Sequence, residues 1–123
     1  MIKINREHEE PLVLNVSTLK QIHLEGTSFH RCFLNELDFS GSVLTNIDFR
    51  SAEMNNAKFV SVLFTRSQLI MVESKSACYD ACSFKDTLLF YSDFSESSFK
   101  GADLSGGTFK EAIFRNCDLR GAN

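Results

Sequence analysis

The chain has 123 residues, 43% of them hydrophobic and 24% charged, with a formal net charge of -3. That length holds one domain, and thirteen Lys and Arg against sixteen Asp and Glu exclude a strongly basic nucleic-acid binder and a strongly acidic chain alike. No apolar run nears the roughly 20 residues of a membrane span, and MIKINREHEEPLVL lacks an apolar signal core with a small-residue cleavage site. A soluble cytoplasmic protein with no membrane partner is expected.

Residues 1–11, ending at Pro11, fall outside the pattern that follows and are expected to cap it. From Leu14 onward, steps of five residues reach Leu119 through 22 positions, of which 21 are large and apolar and only Ser74 departs. Ten of the twelve phenylalanines lie in this register. Two residues before each such centre sits a second uncharged and mostly small class, including Cys32, Ala52, Ala77, Ser92 and Ala112. The remaining three positions of each pentad hold nearly all the charges.

A period of five matches neither a helix, at about 3.6 residues, nor a regular strand, at 2. Two inward residues spaced two apart fit a very short strand, and the rest of the pentad must bend the chain into the next one. Repeated bends of one sense wind a coil whose turns pair at about 4.8 Å around a continuous apolar column.

The pentads Ala102-Asp103-Leu104-Ser105-Gly106, Cys117-Asp118-Leu119-Arg120-Gly121, Ser92-Asp93-Phe94-Ser95-Glu96 and Ile47-Asp48-Phe49-Arg50-Ser51 carry the closest match to a known consensus. Over residues 12–123 the chain resembles the pentapeptide repeat family, whose consensus is a small residue, Asp or Asn, Leu or Phe, and two variable residues. The resemblance implies an all-β fold, a right-handed quadrilateral β-helix with four pentapeptides to a twenty-residue coil. About five and a half coils would make a rod roughly 25 Å long. Residues twenty apart agree with it: Phe39, Phe59, Tyr79 and Phe99 form an expected aromatic stack, and Asn15, Asn35 and Asn55 an outward amide ladder. Ser74 is expected to mark a local bulge, an inward hydroxyl bonded to backbone, or a functional kink.

Conventional active-site chemistry is absent from the pattern. Cys32, Cys82 and Cys117 sit in the small inward class, where a thiol behaves as a compact hydrophobe, and Cys78 faces outward on its own. Neither zinc spacing nor a phosphate-binding glycine loop occurs. His8, His23 and His30 have no nucleophile within an oriented arrangement. The expectation is therefore no catalytic residue, no metal and no cofactor. Glu53, Glu73 and Asp93 should stack as an outward carboxylate column, read as ordinary surface acids, as a mimic of DNA backbone, or as acid–base groups; a convex face lacks the cleft the last would need.

The most informative departure is apolar. Ile70, Met71, Phe90 and Tyr91, with Leu88, should form one outward patch across two adjacent coils, where other coils carry His30 and Arg31, Arg50 and Ser51, or Lys110 and Glu111. Exposed contiguous apolar surface marks protein interfaces, although cover from the N-terminal segment or an irregularity near Ser74 would also account for it. At the other end, Gly121-Ala122-Asn123 opens a further repeat without a capping sequence. Either the chain continues or another subunit covers that end. Family resemblance implies the latter, a homodimer through the C-terminal coil with Phe114 and Leu119 at its interface.

The resulting expectation is a non-catalytic binding protein, a bacterial immunity or self-protection factor that recognises a toxin or other protein through one lateral face. The alternative is a DNA mimic resembling the fluoroquinolone-resistance pentapeptide proteins that bind DNA gyrase. The short rod, the mild charge and Lys58, Lys75, Lys85, Lys100 and Lys110 stand against it. A secreted effector or a scaffold fragment is a further alternative, and direct nucleic-acid binding is not expected.

Overall fold

A computed structural model describes all 123 residues. Two residues after each inward centre the chain bends sharply. From Gln21 to Gly121 every residue at that place has a positive φ, save Gly106. This is the left-handed third position of a β-turn, and the turn closes where the N–H three residues past the centre donates to the centre's carbonyl, as from Cys32 to Phe29 at 3.0 Å. Left-handed backbone costs a non-glycine residue on the order of 1 kcal/mol; coil-to-coil hydrogen bonds offset that cost.

Those bonds run at an offset of twenty. Strands β3 (His23–Glu25), β4 (Val43–Thr45), β5 (Leu63–Thr65) and β6 (Ser83–Lys85) form one parallel sheet in which Leu24, Leu44, Phe64 and Phe84 are register partners. The short pair β7 (Thr87–Leu88) and β8 (Gly107–Thr108), together with single bridges such as Ser28–Asp48, Glu53–Glu73 and Asp38–Lys58, ties the other three faces. The result is the right-handed square β-helix, with a twenty-residue coil.

The column inside is dry. Phe39, Phe59, Tyr79 and Phe99 lie face to face, with centroids 5.2, 4.9 and 5.0 Å apart and planes within 8° of parallel. Phe29, Phe49, Phe84 and Phe94 are equally buried. Small inward serines are satisfied by entering the turn of the preceding coil. Ser42 Oγ donates to the Leu19 carbonyl at 2.6 Å and accepts from the Ile22 N–H at 3.1 Å. Ser67, Ser92 and Ser97 do the same in the turns beginning at Leu44, Leu69 and Ser74. In each case one hydroxyl replaces the turn's own closing bond, and no buried polar side-chain atom is left without a partner.

Ser74 has its own explanation. Its Oγ lies 2.6 Å from the buried Tyr79 hydroxyl and 3.2 Å from the Met54 carbonyl oxygen. The one polar centre thus faces the one tyrosine of the aromatic stack. Ser76 keeps the regular left-handed corner, so the pentad is neither bulged nor kinked.

At the N-terminal end β1 (Ile2–Arg6) and β2 (Glu9–Leu14) form an antiparallel hairpin. β2 runs through Leu14, past the boundary expected after residue 11, and the first fully enclosed centre is Leu19. Leu12 and Leu14 alternate with the two-residue period of a strand, and Leu14 coincides with the five-residue register by position alone. Pro11 lies where the hairpin register slips, a place that demands no ladder N–H. The hairpin docks antiparallel on the first coil through Glu7 N–H to Arg31 O at 3.0 Å and Phe33 N–H to Asn5 O at 2.9 Å, and it buries Ile4.

Candidate functional site: an apolar corner

One edge of the square, between the face of Ser28, Asp48, Gln68, Leu88 and Thr108 and the face of Phe33, Glu53, Glu73, Asp93 and Ile113, differs from the rest. Ile70-Met71 and Phe90-Tyr91 occupy this edge in successive coils, joined by the Met71 N–H donating to the Phe90 carbonyl at 2.9 Å. Met71 is 62% exposed and Tyr91 48%, while Ile70, Phe90 and Leu88 are half-buried. The Phe90 and Tyr91 rings meet edge to face at 6.5 Å, and Lys110 Nζ stands 5.8 Å from the centre of the Tyr91 ring. All five residues singled out in the sequence therefore lie on adjoining positions of two coils, and the N-terminal hairpin, docked on the first coil, does not cover them.

The backbone makes this composition unusual. Met71 and Tyr91 stand at φ 58° and 57°, the left-handed place that other coils fill with Gly, Asn, Ser, Ala, Asp, Gln, Glu or Arg. Asn and Asp are the non-glycine residues that enter that region most readily. Met71 and Tyr91 are the only large apolar side chains at the left-handed position of any coil. Neither the turn nor the core gains from them.

The carboxylates are stacked as expected: Glu53 bridges Glu73, and Glu73 bridges Asp93, on the face that begins at the apolar corner. Lys75 crosses this column, with Nζ 3.5 Å from Glu73 and 3.9 Å from Asp93. Phe33 and Ile113 close its two ends and are exposed. Phe33 could have been noticed as one of two phenylalanines outside the five-residue register; Ile113 had no such signal. On the opposite edge Val60 and Leu63 are also exposed, another feature missed by the sequence reading.

All five aspartates that directly precede a centre have a further task. The Ser40, Arg50, Ser95, Ser105 and Arg120 N–H groups donate to the Oδ1 of Asp38, Asp48, Asp93, Asp103 and Asp118, pinning the entry to each corner. The Arg120 guanidinium and N–H bonds bring the Asp118 carboxyl down to about 2, and the Ser105 hydroxyl and N–H lower Asp103. At Asp48 and Asp93 burial pushes upward, but donors from Arg50 and Ser95 prevail and hold both below the ordinary carboxylate range. The consensus acid is thus a turn clamp. The amide ladder is real for Asn35 and Asn55, whose Oδ1 atoms accept from the Asn55 and Lys75 N–H groups at 2.8 and 2.9 Å, but Asn15 stands outside it, directly after β2.

Burial pushes the Cys32 thiol up to about 11 and raises Cys82 further; all four cysteines are free. No three His, Cys, Asp or Glu side chains converge as a metal site. The C-terminal coil leaves an apolar recess of about 450 Å³ lined by Leu104, Phe109, Phe114, Leu119 and Asn123. Leu119 is 44% exposed there and Phe114 half-buried. The Phe109 ring leans over Gly107, where an added Cβ would lie 2.7 Å from it.

Solved structures share this architecture. The chain superposes on a pentapeptide repeat protein from the Arabidopsis thaliana thylakoid lumen (TM-score 0.65, 19% identity, 76% of this chain and 62% of that one). It also superposes on HetL, a pentapeptide repeat protein involved in heterocyst differentiation regulation in the cyanobacterium Nostoc (TM-score 0.69, 19% identity, 85% and 56%). A pentapeptide repeat protein of the cyanobacterium Cyanothece matches over 84% of both chains, with TM-score 0.75 and 12% identity. The chain thus spans 62% and 56% of the length of the first two. At these identities the likeness is one of fold. A search of curated protein sequences finds no match. The family model for pentapeptide repeats matches residues 17–46, 34–66 and 82–123 in eight copies, and with three quarters of its length inside those spans the chain belongs to the pentapeptide repeat family.

Proposed function

We propose that the protein is a non-catalytic binding solenoid, a bacterial immunity or self-protection factor acting in the cytoplasm, whose corner at Ile70, Met71, Phe90 and Tyr91, with Leu88, receives a toxin or other protein partner. One observation carries the reading: two large apolar side chains are exposed at left-handed corners where every other coil carries a polar residue, glycine or alanine. Surface that the fold does not require, apolar and aromatic, is what interface cores use. Four unpaired thiols, two of them buried, fit a reducing compartment.

Met71→Asp combined with Tyr91→Asp tests it, because aspartate enters the left-handed region readily. Retention of the partner on immobilised protein is expected to vanish while the melting temperature holds or rises. Retention equal to that of the unaltered protein removes the reading. In the same proposal the apolar recess at Phe114 and Leu119 joins two copies, and Leu119→Lys is expected to give monomers in sedimentation; an unchanged association state contradicts it.

A second reading, mimicry of DNA towards a topoisomerase such as gyrase, draws on the stacked carboxylates Glu53, Glu73 and Asp93. Lys75 pairs with two of the three. Mimicry requires binding that weakens steeply with salt and competes with duplex DNA; insensitivity to both eliminates it.

A further inference from the structure

Sulfur is divided between the column and the surface. Cys32, Cys82 and Met54 are enclosed in the column, and Cys78 and Cys117 are half-buried. Burial raises all four thiols above their ordinary value, Cys32 to about 11. A thiol so raised holds little thiolate at neutral pH, and the thiolate is the form that reacts. A thioether keeps its lone pair at any pH, so access decides its oxidation. Of the three methionines, Met71 is 62% exposed and Met1 86%, and Met1 precedes the N-terminal hairpin, apart from the apolar corner.

The Met71 side chain serves the patch and not the fold. Its backbone N–H makes the coil-to-coil bond to the Phe90 carbonyl whatever the side chain, and its φ of 58° marks a corner that polar residues fill on other coils. A sulfoxide oxygen there stays in water and leaves the column untouched. At the patch the consequence is the opposite. Oxidation turns a flexible apolar side chain into a polar one, and a partner closing over Met71 and Tyr91 would bury a strong acceptor against apolar groups.

Resting on the reading of this corner as a binding surface, we infer that Met71 is a reversible oxidation site, at which a hydroperoxide weakens the partner's hold without loosening the rod. The Met71 sulfur lone pair attacks a peroxide oxygen, the O–O bond breaks, and loss of the proton leaves S=O and water. Sulfur gives up two electrons and the peroxide takes them. A thiol-dependent sulfoxide reductase reverses the step: two thiols become a disulfide and the oxygen leaves as water.

The test uses the purified full chain treated with hydrogen peroxide, which is removed before any partner is added. Peptide mass spectrometry is expected to find Met71 oxidised at least about tenfold faster than Met54, at an unchanged melting temperature. Benzoylphenylalanine at Tyr91, irradiated in an extract of the cell of origin, should then give several-fold less adduct than before oxidation, and sulfoxide reductase should restore it. Met71→Leu, measured against its own untreated yield, should be insensitive to peroxide. Equal oxidation of Met54 and Met71, a melting temperature that falls with Met71 oxidation, an adduct yield that ignores it, or an equal loss in Met71→Leu each overturns the oxidation site and leaves the binding corner standing. Absence of an adduct from the untreated chain overturns the corner and the oxidation switch together.

Discussion

The pair Ser74 and Tyr79 offers a double-mutant cycle whose signs follow from the buried geometry. Both side chains are fully enclosed, and the Tyr79 hydroxyl has Ser74 Oγ, at 2.6 Å, as its hydrogen-bond partner. Ser74 Oγ has a second partner in the Met54 carbonyl at 3.2 Å. Tyr79→Phe therefore leaves Ser74 bonded and is expected to cost about 1 kcal/mol, the net worth of one hydrogen bond. Ser74→Ala instead strands the phenol in an apolar column, with a cost of about 1–3 kcal/mol plus a small cavity term. The double variant loses both polar groups together, so its cost should fall below the sum by about 1–2 kcal/mol. Equilibrium urea denaturation with unchanged m-values measures all four corners of the cycle. Additivity within about 0.5 kcal/mol would refute the claim that Ser74 departs from the apolar register in order to satisfy Tyr79. Ser74→Leu extends the test: alone it drives a methyl group into the phenol, whereas with Tyr79→Phe it restores an all-apolar column and recovers most of the loss.

The same packing sets other outcomes. Phe59→Ala, removing the ring stacked between Phe39 and Tyr79, should cost about 3–5 kcal/mol in chemical denaturation; a loss under about 1 kcal/mol would place Phe59 outside the column. Acid should destabilise the coils through their aspartate clamps. Because the folded carboxyls of Asp103 and Asp118 are lowered, Asp118 to about 2, their contribution is complete above the unfolded value near 3.9 and is lost as pH falls through the folded value. Melting temperature should hold from neutral down to about pH 5 and then decline towards pH 2, and a flat profile would contradict the clamps. Alkylation followed by mass spectrometry should modify half-buried Cys78 before buried Cys32 and Cys82; equal rates would show that the column opens.

Much of this architecture was legible because a five-residue period has one physical solution. Phe39, Phe59, Tyr79 and Phe99 could be placed in one stack by counting, and Ile70, Met71, Phe90 and Tyr91 at one corner by the same count. Hydrogen bonds were harder. The inward serines looked like small fillers, and nothing in the count shows that Ser42 or Ser92 enters the turn of the preceding coil. The consensus aspartate looked like surface charge, whereas Asp48 and Asp118 hold the N–H two residues onward. Leu14 misled because it satisfies two periods at once, and only pairing with Ile2 assigns it to the hairpin. Phe33, Ile113, Val60 and Leu63 were passed over because isolated outward apolar residues are ordinary on protein surfaces.

The most direct test of the binding corner is site-specific photocrosslinking in the cell of origin. A benzoylphenylalanine placed at Tyr91 should form a discrete adduct with one partner protein, while the same group at Leu63, equally exposed on another face, should form none. An adduct at Leu63 with nothing at Tyr91 would put the binding surface elsewhere on the rod.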